Sequence, residues 1–139
     1  MLGTAHIWYI QNWPMSTTSP EETPAESYGG GAQAAAISNA LVQLHRRAYG
    51  KGPTKAKTYL LDGVVLCVLE GGALRIEETL RDHGEEEMVH QVRRTFQAAL
   101  NHEFRDIIES TTGRTVRAFM SQFDPEHNIG VEIFFLNDR

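Results

Sequence analysis

A single cysteine, five prolines and no apolar run longer than Val64 to Leu69 exclude several classes of protein before any motif is sought. One thiol, Cys67, cannot close an intrachain disulfide, and its place inside that apolar run reads as a small buried hydrophobe suited to a reducing compartment. A membrane-spanning helix needs about 18 or more consecutive apolar residues, and Val64 to Leu69 has only the length of a strand. The N-terminus has no apolar signal-peptide core, because Ile7-Trp8-Tyr9-Ile10 is interrupted by Gln11 and Asn12, so export is not expected. A strong charge of either sign is also missing. The formal net charge is −5, with Glu21, Glu22 and Glu26 near the start and all 13 Lys and Arg beyond residue 45, leaving about −2 from residue 32 onward. This is not the electrostatic footprint of a nucleic-acid binder.

What remains is one domain's worth of chain, 139 residues with 41% hydrophobic content, enough for an ordinary core. Residues 1–31 stand apart. Ser16 to Pro24 and Gly29-Gly30-Gly31 have turn and linker chemistry without periodicity, which predicts a disordered tail. Met15 is a second plausible start, so Met1 to Pro14, with both tryptophans, reads as an upstream extension; the alternative is a sticky peptide anchored by Trp8, Tyr9 and Trp13.

From residue 32 to 139 the periodicity predicts one α+β domain. Ile37, Leu41, Leu44 and Ala48 recur at helical spacing, and Gly50 supplies a stop. Asp62-Gly63 between β-rich segments predicts a two-residue hairpin with Leu61 opposite Val64, Thr58 opposite Cys67 and Lys57 opposite Val68. One hairpin face is then Ala56, Leu60, Val65, Cys67 and Leu69. The other is apolar near the turn and charged at Lys55, Lys57 and Glu70, so both faces of the turn end are expected to need cover. A short helix with Leu74, Ile76 and Leu80 follows Gly71-Gly72. A long helix is predicted over about 85–112, opened by Glu85-Glu86-Glu87, striped by Val89, Val92, Phe96, Leu100, Phe104, Ile107 and Ile108, and capped by Gly113. At about 1.5 Å per residue it would reach about 42 Å. A globule of this size is only about 34 Å across, so the helix must kink, project or pack on a second copy, and a homodimer is expected. Strands at Thr115 to Phe123 and Ile129 to Leu136, joined by the turn residues Asp124 to Asn128, complete the order α-β-β-α-α-β-β. The helix and hairpin occur twice, as after a duplication, giving one antiparallel four-stranded sheet packed by helices.

No catalytic constellation accompanies these elements. The six histidines lack metal-ligand spacing, Glu85-Glu86-Glu87 reads as a solvated helix start, and no nucleophile-elbow pattern is present. Gly50-Lys51-Gly52-Pro53-Thr54 is not a nucleotide-binding phosphate loop: position 45 is His where Gly is required, Gly follows Lys51, and the loop comes after a helix. No catalytic residue, metal or cofactor is therefore predicted. A small anion or nucleotide has one candidate site, Lys51 and Gly52 of the glycine loop with Arg93, Arg94 and Arg114, set against the plainer reading of charged helix ends and surface pairing.

Taken in order, Tyr49-Gly50-Lys51-Gly52-Pro53, Lys57 to Leu66, Gln91-Val92-Arg93-Arg94 and Thr111-Thr112-Gly113-Arg114 resemble the MpsC-like family, over about Ala32 to Leu136. That family, formerly a bacterial domain of unknown function, is named for a Na+-translocating, membrane-potential-generating system. Two places depart from its pattern: the short middle helix opens on Arg75-Ile76 rather than a Thr-Pro type start, and the loop at Asp124 to Asn128 diverges. The resemblance implies a non-enzymatic cytosolic accessory or regulatory protein of a bicarbonate- or cation-transport system, peripheral to the membrane through transport subunits as partners. It carries no active site with it. A sensor domain for a small anion or nucleotide is the alternative.

Overall fold

The computed structural model describes residues 31–139. The tail expected over 1–31 lies outside the described residues except for Gly31, which opens the first helix. The described elements are α1 (Gly31–Tyr49), β1 (Lys55–Leu61), β2 (Val64–Glu70), α2 (Arg75–Asp82), α3 (Glu86–Ala99), α4 (Asn101–Thr112), β3 (Val116–Asp124) and β4 (Ile129–Leu136). The fold is α+β: an antiparallel four-stranded sheet in the order β1-β2-β4-β3, with helices on one face.

The first hairpin has the register that its Asp62-Gly63 turn dictates, from Leu61 opposite Val64 down to Lys55 opposite Glu70. Gly63 takes the left-handed backbone conformation, φ 75°, that a two-residue turn requires. β2 then pairs with β4, so the two hairpins join through their second strands and leave β1 and β3 as edges. The β3 edge carries a bulge at Arg117, between Val116 and Ala118.

Alternation along the strands sorts the sheet into two unlike faces. Toward the helices point Val65, Cys67 and Leu69 of β2, Phe134 and Leu136 of β4, and Val116 of β3, all buried. Ile37, Leu41 and Leu44 of α1 and Phe104 and Ile108 of α4 close over them. Phe119 stacks on Phe134, with centroids 4.6 Å apart, and tilts against Phe104 at 4.9 Å. Over the opposite face no helix lies among the described residues. There Tyr59, Leu66, Ile133 and Met120 lie side by side across the four strands, and Leu61, Val64, Phe135 and Ala118 form the next row. None of these eight is buried, and Leu61 and Met120 are 47% and 57% exposed. Of the cover expected on both faces of the turn end, the described helices supply that of one face.

The predicted continuous helix is divided at Leu100, where φ −98° and ψ 11° end α3 and begin α4. Hydrogen bonds still enter and leave this residue, from its N–H to the Phe96 carbonyl and from the Phe104 N–H to its own carbonyl, so the chain bends without fraying. The next residue supplies a reason. Asn101 is a poor interior helix former, and its Oδ1 accepts from Arg105 Nε at 2.7 Å. Arg105 in turn donates to the Val116 carbonyl at the β3 bulge, while Glu109 accepts the Val116 N–H. The bend lets the two segments serve different cores. α4 packs with α1 on the main cluster, and Val89 of α3 packs with Ala73, Leu80 and Phe123 in a second, smaller one. With the helix broken, its length no longer argues for a second copy.

Phe134 sits at 0% exposure in the centre of the main cluster, so Phe134→Ala is expected to lower unfolding stability by about 3–5 kcal/mol in a denaturant titration.

Candidate functional site

At the end of the sheet farthest from Asp62-Gly63, a cleft opens between the C-terminal turn of α1, α3 and the strands β3 and β4. Its floor is polar although it lies inside the fold. Glu132 shares the helix-facing side of β4 with Phe134 and Leu136 and is only 5% exposed. His45, one turn after Leu41 on the buried stripe of α1, comes to meet it, with Nε2 3.6 Å from Glu132 Oε1. The other ring nitrogen, Nδ1, lies 2.8 Å from the Leu41 carbonyl. A carbonyl only accepts, so Nδ1 carries a hydrogen, and the contact between Nε2 and the carboxylate is attractive only with one further proton on the pair. Glu132 Oε2 has no hydrogen-bond partner. The cavity that Glu132 helps to line holds about 50 Å³, room for a few waters or a ligand of a few heavy atoms.

The wall is aromatic and cationic. Tyr49 stacks on His45 at 5.4 Å between centroids and touches the ring of Phe96 at 4.9 Å. The Arg93 guanidinium lies between two rings, 4.6 Å from the Tyr49 centroid and 4.0 Å from that of Phe123. Burial pushes the Tyr49 phenol up to about 12, with Glu132 and Glu77 adding to the effect and Arg93 opposing it. The phenol therefore stays protonated at neutral pH.

Arg93 is held from the other side by Glu77 of α2, which accepts from both Nε and Nη2. Glu77 is 3% exposed, and its Oε1 also takes the Leu74 N–H that opens α2, so this carboxylate caps one helix and anchors another. Arg93 Nη2 reaches the Gly72 carbonyl as well, at 3.1 Å. Lys51 Nζ donates to the adjacent carbonyl, that of Ala73, at 3.0 Å. Asn128 completes this node by accepting the Ala73 N–H on its side chain and the Gly71 N–H on its carbonyl. Gly71 is fixed here twice over: its φ is 77°, and a Cβ would stand 2.1 Å from Thr54 Oγ1.

The five residues singled out by sequence are thereby placed. Lys51 and Arg93 converge on neighbouring carbonyls of the Gly71 to Leu74 turn, and Gly52 packs against Val42 and Arg46 of α1. Arg94 reaches the cleft rim, where it pairs with the exposed Glu87 at 2.9 Å and holds that carboxyl below the usual range. Arg114 is elsewhere. It donates to the Asn137 carbonyl beside Leu61 and Leu136, at the Asp62-Gly63 end of the sheet. Lys51 and Arg93 thus meet at one turn, Gly52 rests on α1, Arg94 sits at the cleft rim, and the strands' length separates Arg114 from all four.

Two participants were not singled out by sequence, Glu77 and the His45–Glu132 pair. For Glu132 a signal existed: in Ile129 to Leu136 it has the same alternation parity as Phe134 and Leu136, hence the core face. The row continues across the sheet to Cys67, which is paired with Glu132 and receives a hydrogen bond from Thr58 Oγ1 at 3.3 Å; Ser38 and Thr58 share another at 2.7 Å. Burial pushes the Cys67 thiol up to about 12, reinforced by Glu132 and opposed by Thr58, so it is no nucleophile at neutral pH. Among the described residues no group of three or more His, Cys, Asp and Glu is arranged to hold a metal ion.

Removing one member of a buried, hydrogen-bonded ion pair strands the other. Arg93→Ala is expected to cost about 3–5 kcal/mol of unfolding stability by leaving Glu77 unpaired. Arg94→Ala, which breaks only an exposed contact, should leave the denaturation midpoint unchanged.

No curated relative and no solved structure matches the chain. A family model does, that of the Na+-translocating membrane potential-generating system, MpsC, over residues 31–138. With nearly all of the described chain inside that match, and with the glycine loop, the Arg93-Arg94 pair and Gly113-Arg114 all within it, the protein belongs to the MpsC family.

Proposed function

We propose that this protein is a non-enzymatic accessory or regulatory component of a Na+-translocating, membrane-potential-generating system, working in the cytoplasm by contact with the subunits that form the ion path. Family membership over residues 31–138 is the observation that carries this reading. Two features of the fold support it. Among the described residues no helix is long and apolar enough to cross a membrane, and the sheet ends on β1 and β3 rather than closing into a barrel. Translocation then falls to partner subunits. The cations nearest the cleft serve cohesion: Arg93 is committed to Glu77 and Lys51 to a backbone carbonyl.

The test is recovery of the full-length tagged chain from detergent-solubilised membranes of its own cells, followed by identification of what accompanies it. Co-purification of an integral-membrane transport subunit, with a lowered Na+-dependent membrane potential when the chain is deleted, is the expected result. Recovery of no such subunit, or an unchanged potential, contradicts the proposal.

A second reading, a small-ligand sensor, is favoured by one specific feature, the buried and unpartnered Oε2 of Glu132, a residue that lines the cleft. An ionised carboxylate accepts and does not donate, so a ligand seated there must present an O–H or N–H. Bicarbonate and hydrogen phosphate both have such a group, and bicarbonate is the smaller of the two for a cavity of about 50 Å³. Thermal-shift measurements across bicarbonate, phosphate and nucleotides are expected, on this reading, to show stabilisation by bicarbonate that Glu132→Gln abolishes. No shift with any of them removes the sensor.

A further inference from the structure

The cleft is lined by two guanidinium groups in opposite situations. Arg93 is tied to Glu77 through two nitrogens and to the Gly72 carbonyl, with the rings of Tyr49 and Phe123 on either side. Arg94, the next residue, has a single contact, from Nη2 to Glu87 Oε1 at 2.9 Å, and both members of that pair are exposed. Seven residues of α3, about two turns, separate the two, so Arg94 reaches back along the helix toward its N-terminal end to make the contact. Glu87 itself lies outside the cleft lining. An exposed pair of this kind adds almost nothing to stability, because water screens it and two long side chains must be held still. Its rupture costs correspondingly little.

The charges of the cleft are otherwise matched in pairs: Glu77 meets Arg93, and Glu132 faces His45. A small anion entering the cavity brings a charge that neither pair can meet. It also comes against the buried, unpartnered Oε2 of Glu132, which repels it unless a hydrogen lies between them. Of the two lining arginines, only Arg94 can turn onto such a ligand without stranding a buried partner. We infer that Arg94 is the anion-binding arm of the cleft, exchanging Glu87 for the charged oxygens of a small oxoanion that still bears a hydrogen. That hydrogen points inward to Glu132 Oε2, and the charged oxygens point outward to the guanidinium, whose fork matches two of them. The inference rests on the small-ligand reading of the cleft and adds to it the second contact, the orientation of the ligand, and a competitor, Glu87, built into the chain.

A floor that must be given a hydrogen makes the site selective. Nitrate has the planar shape and the charge of bicarbonate but no hydrogen, so it would set an oxygen against Glu132 Oε2 and leave both unpaired. The cavity of about 50 Å³ favours such compact planar anions over larger ones.

NMR titration of the isotope-labelled full-length chain with sodium bicarbonate, and with sodium nitrate at equal ionic strength, tests the inference. The wild-type chain is expected to bind bicarbonate roughly tenfold or more tightly than nitrate. Arg94→Ala should weaken bicarbonate binding roughly tenfold, while its denaturation midpoint without bicarbonate stays that of the wild type. Glu87→Gln should tighten binding about two- to fivefold, because the competing carboxylate has lost its charge. In an Arg94→Ala background the same change should gain nothing, which separates competition for one guanidinium from a general gain in positive potential. Bicarbonate affinity equal in the wild type and Arg94→Ala overturns the inference and leaves the small-ligand reading standing. Nitrate bound as tightly as bicarbonate overturns it as well, and so does a gain from Glu87→Gln that persists without Arg94. A chain that binds neither anion overturns the inference and the small-ligand reading together.

Discussion

Every helix among the described residues is on the same side of the sheet, and most of the fold's other features follow from that constraint. An antiparallel sheet tolerates one wet face when alternation supplies polar residues for it. Here the alternation supplies apolar residues to both faces through the middle rows: Val65 and Cys67 point inward while Val64, Leu66 and Val68 point outward. α1 and α4 account for the inward set. No helix within residues 31–139 covers the outward one, where the Arg117 guanidinium lies over the Phe135 ring at 5.7 Å.

The same constraint explains why a stretch with one helical stripe becomes two helices. A straight rod over 85–112 would run past the helix-covered face; a bend at Leu100 keeps both halves on it. The halves then divide the work. α4 is tied to the β3 bulge through Arg105 and Glu109, whereas α3 is tied to α2 and the Gly71 to Leu74 turn through Arg93 and Glu77. The cleft lies along the second of these attachments, where His45 and Glu132 bring polar atoms under an aromatic and cationic wall. Deep burial of so many polar groups is tolerable because nearly all are partnered; Glu132 Oε2 is the exception among the described residues.

Local physics was legible in the sequence. Asp62-Gly63 fixed a register that the structure reproduces pair by pair, and the four-residue and three-residue spacings from Ile37 to Leu44 identified the buried stripe of α1. The break at Leu100 was not read, because the apolar stripe runs unbroken through it and the only local sign is the weak helix former Asn101. Pairings between elements were further from reach. Glu77 and Arg93 are sixteen residues apart on different helices, and no sequence period connects them, so Arg93 looked free for an anion when its donors were already committed. Conversely, Arg114 has the same glycine-stop setting as Lys51 yet lies at the other end of the strands. The MpsC resemblance, carried by four short motifs in order, agrees with the family match over residues 31–138.

The attachment of α3 to α2 and to the Gly71 to Leu74 turn through one buried ion pair is the claim on which the cleft's architecture rests. The most direct measurement is a double-mutant cycle on Glu77 and Arg93, read as unfolding free energy in a denaturant titration. The account predicts that the double variant loses less stability than the two single losses added together, with a coupling of about 1–3 kcal/mol. Strictly additive losses would contradict it.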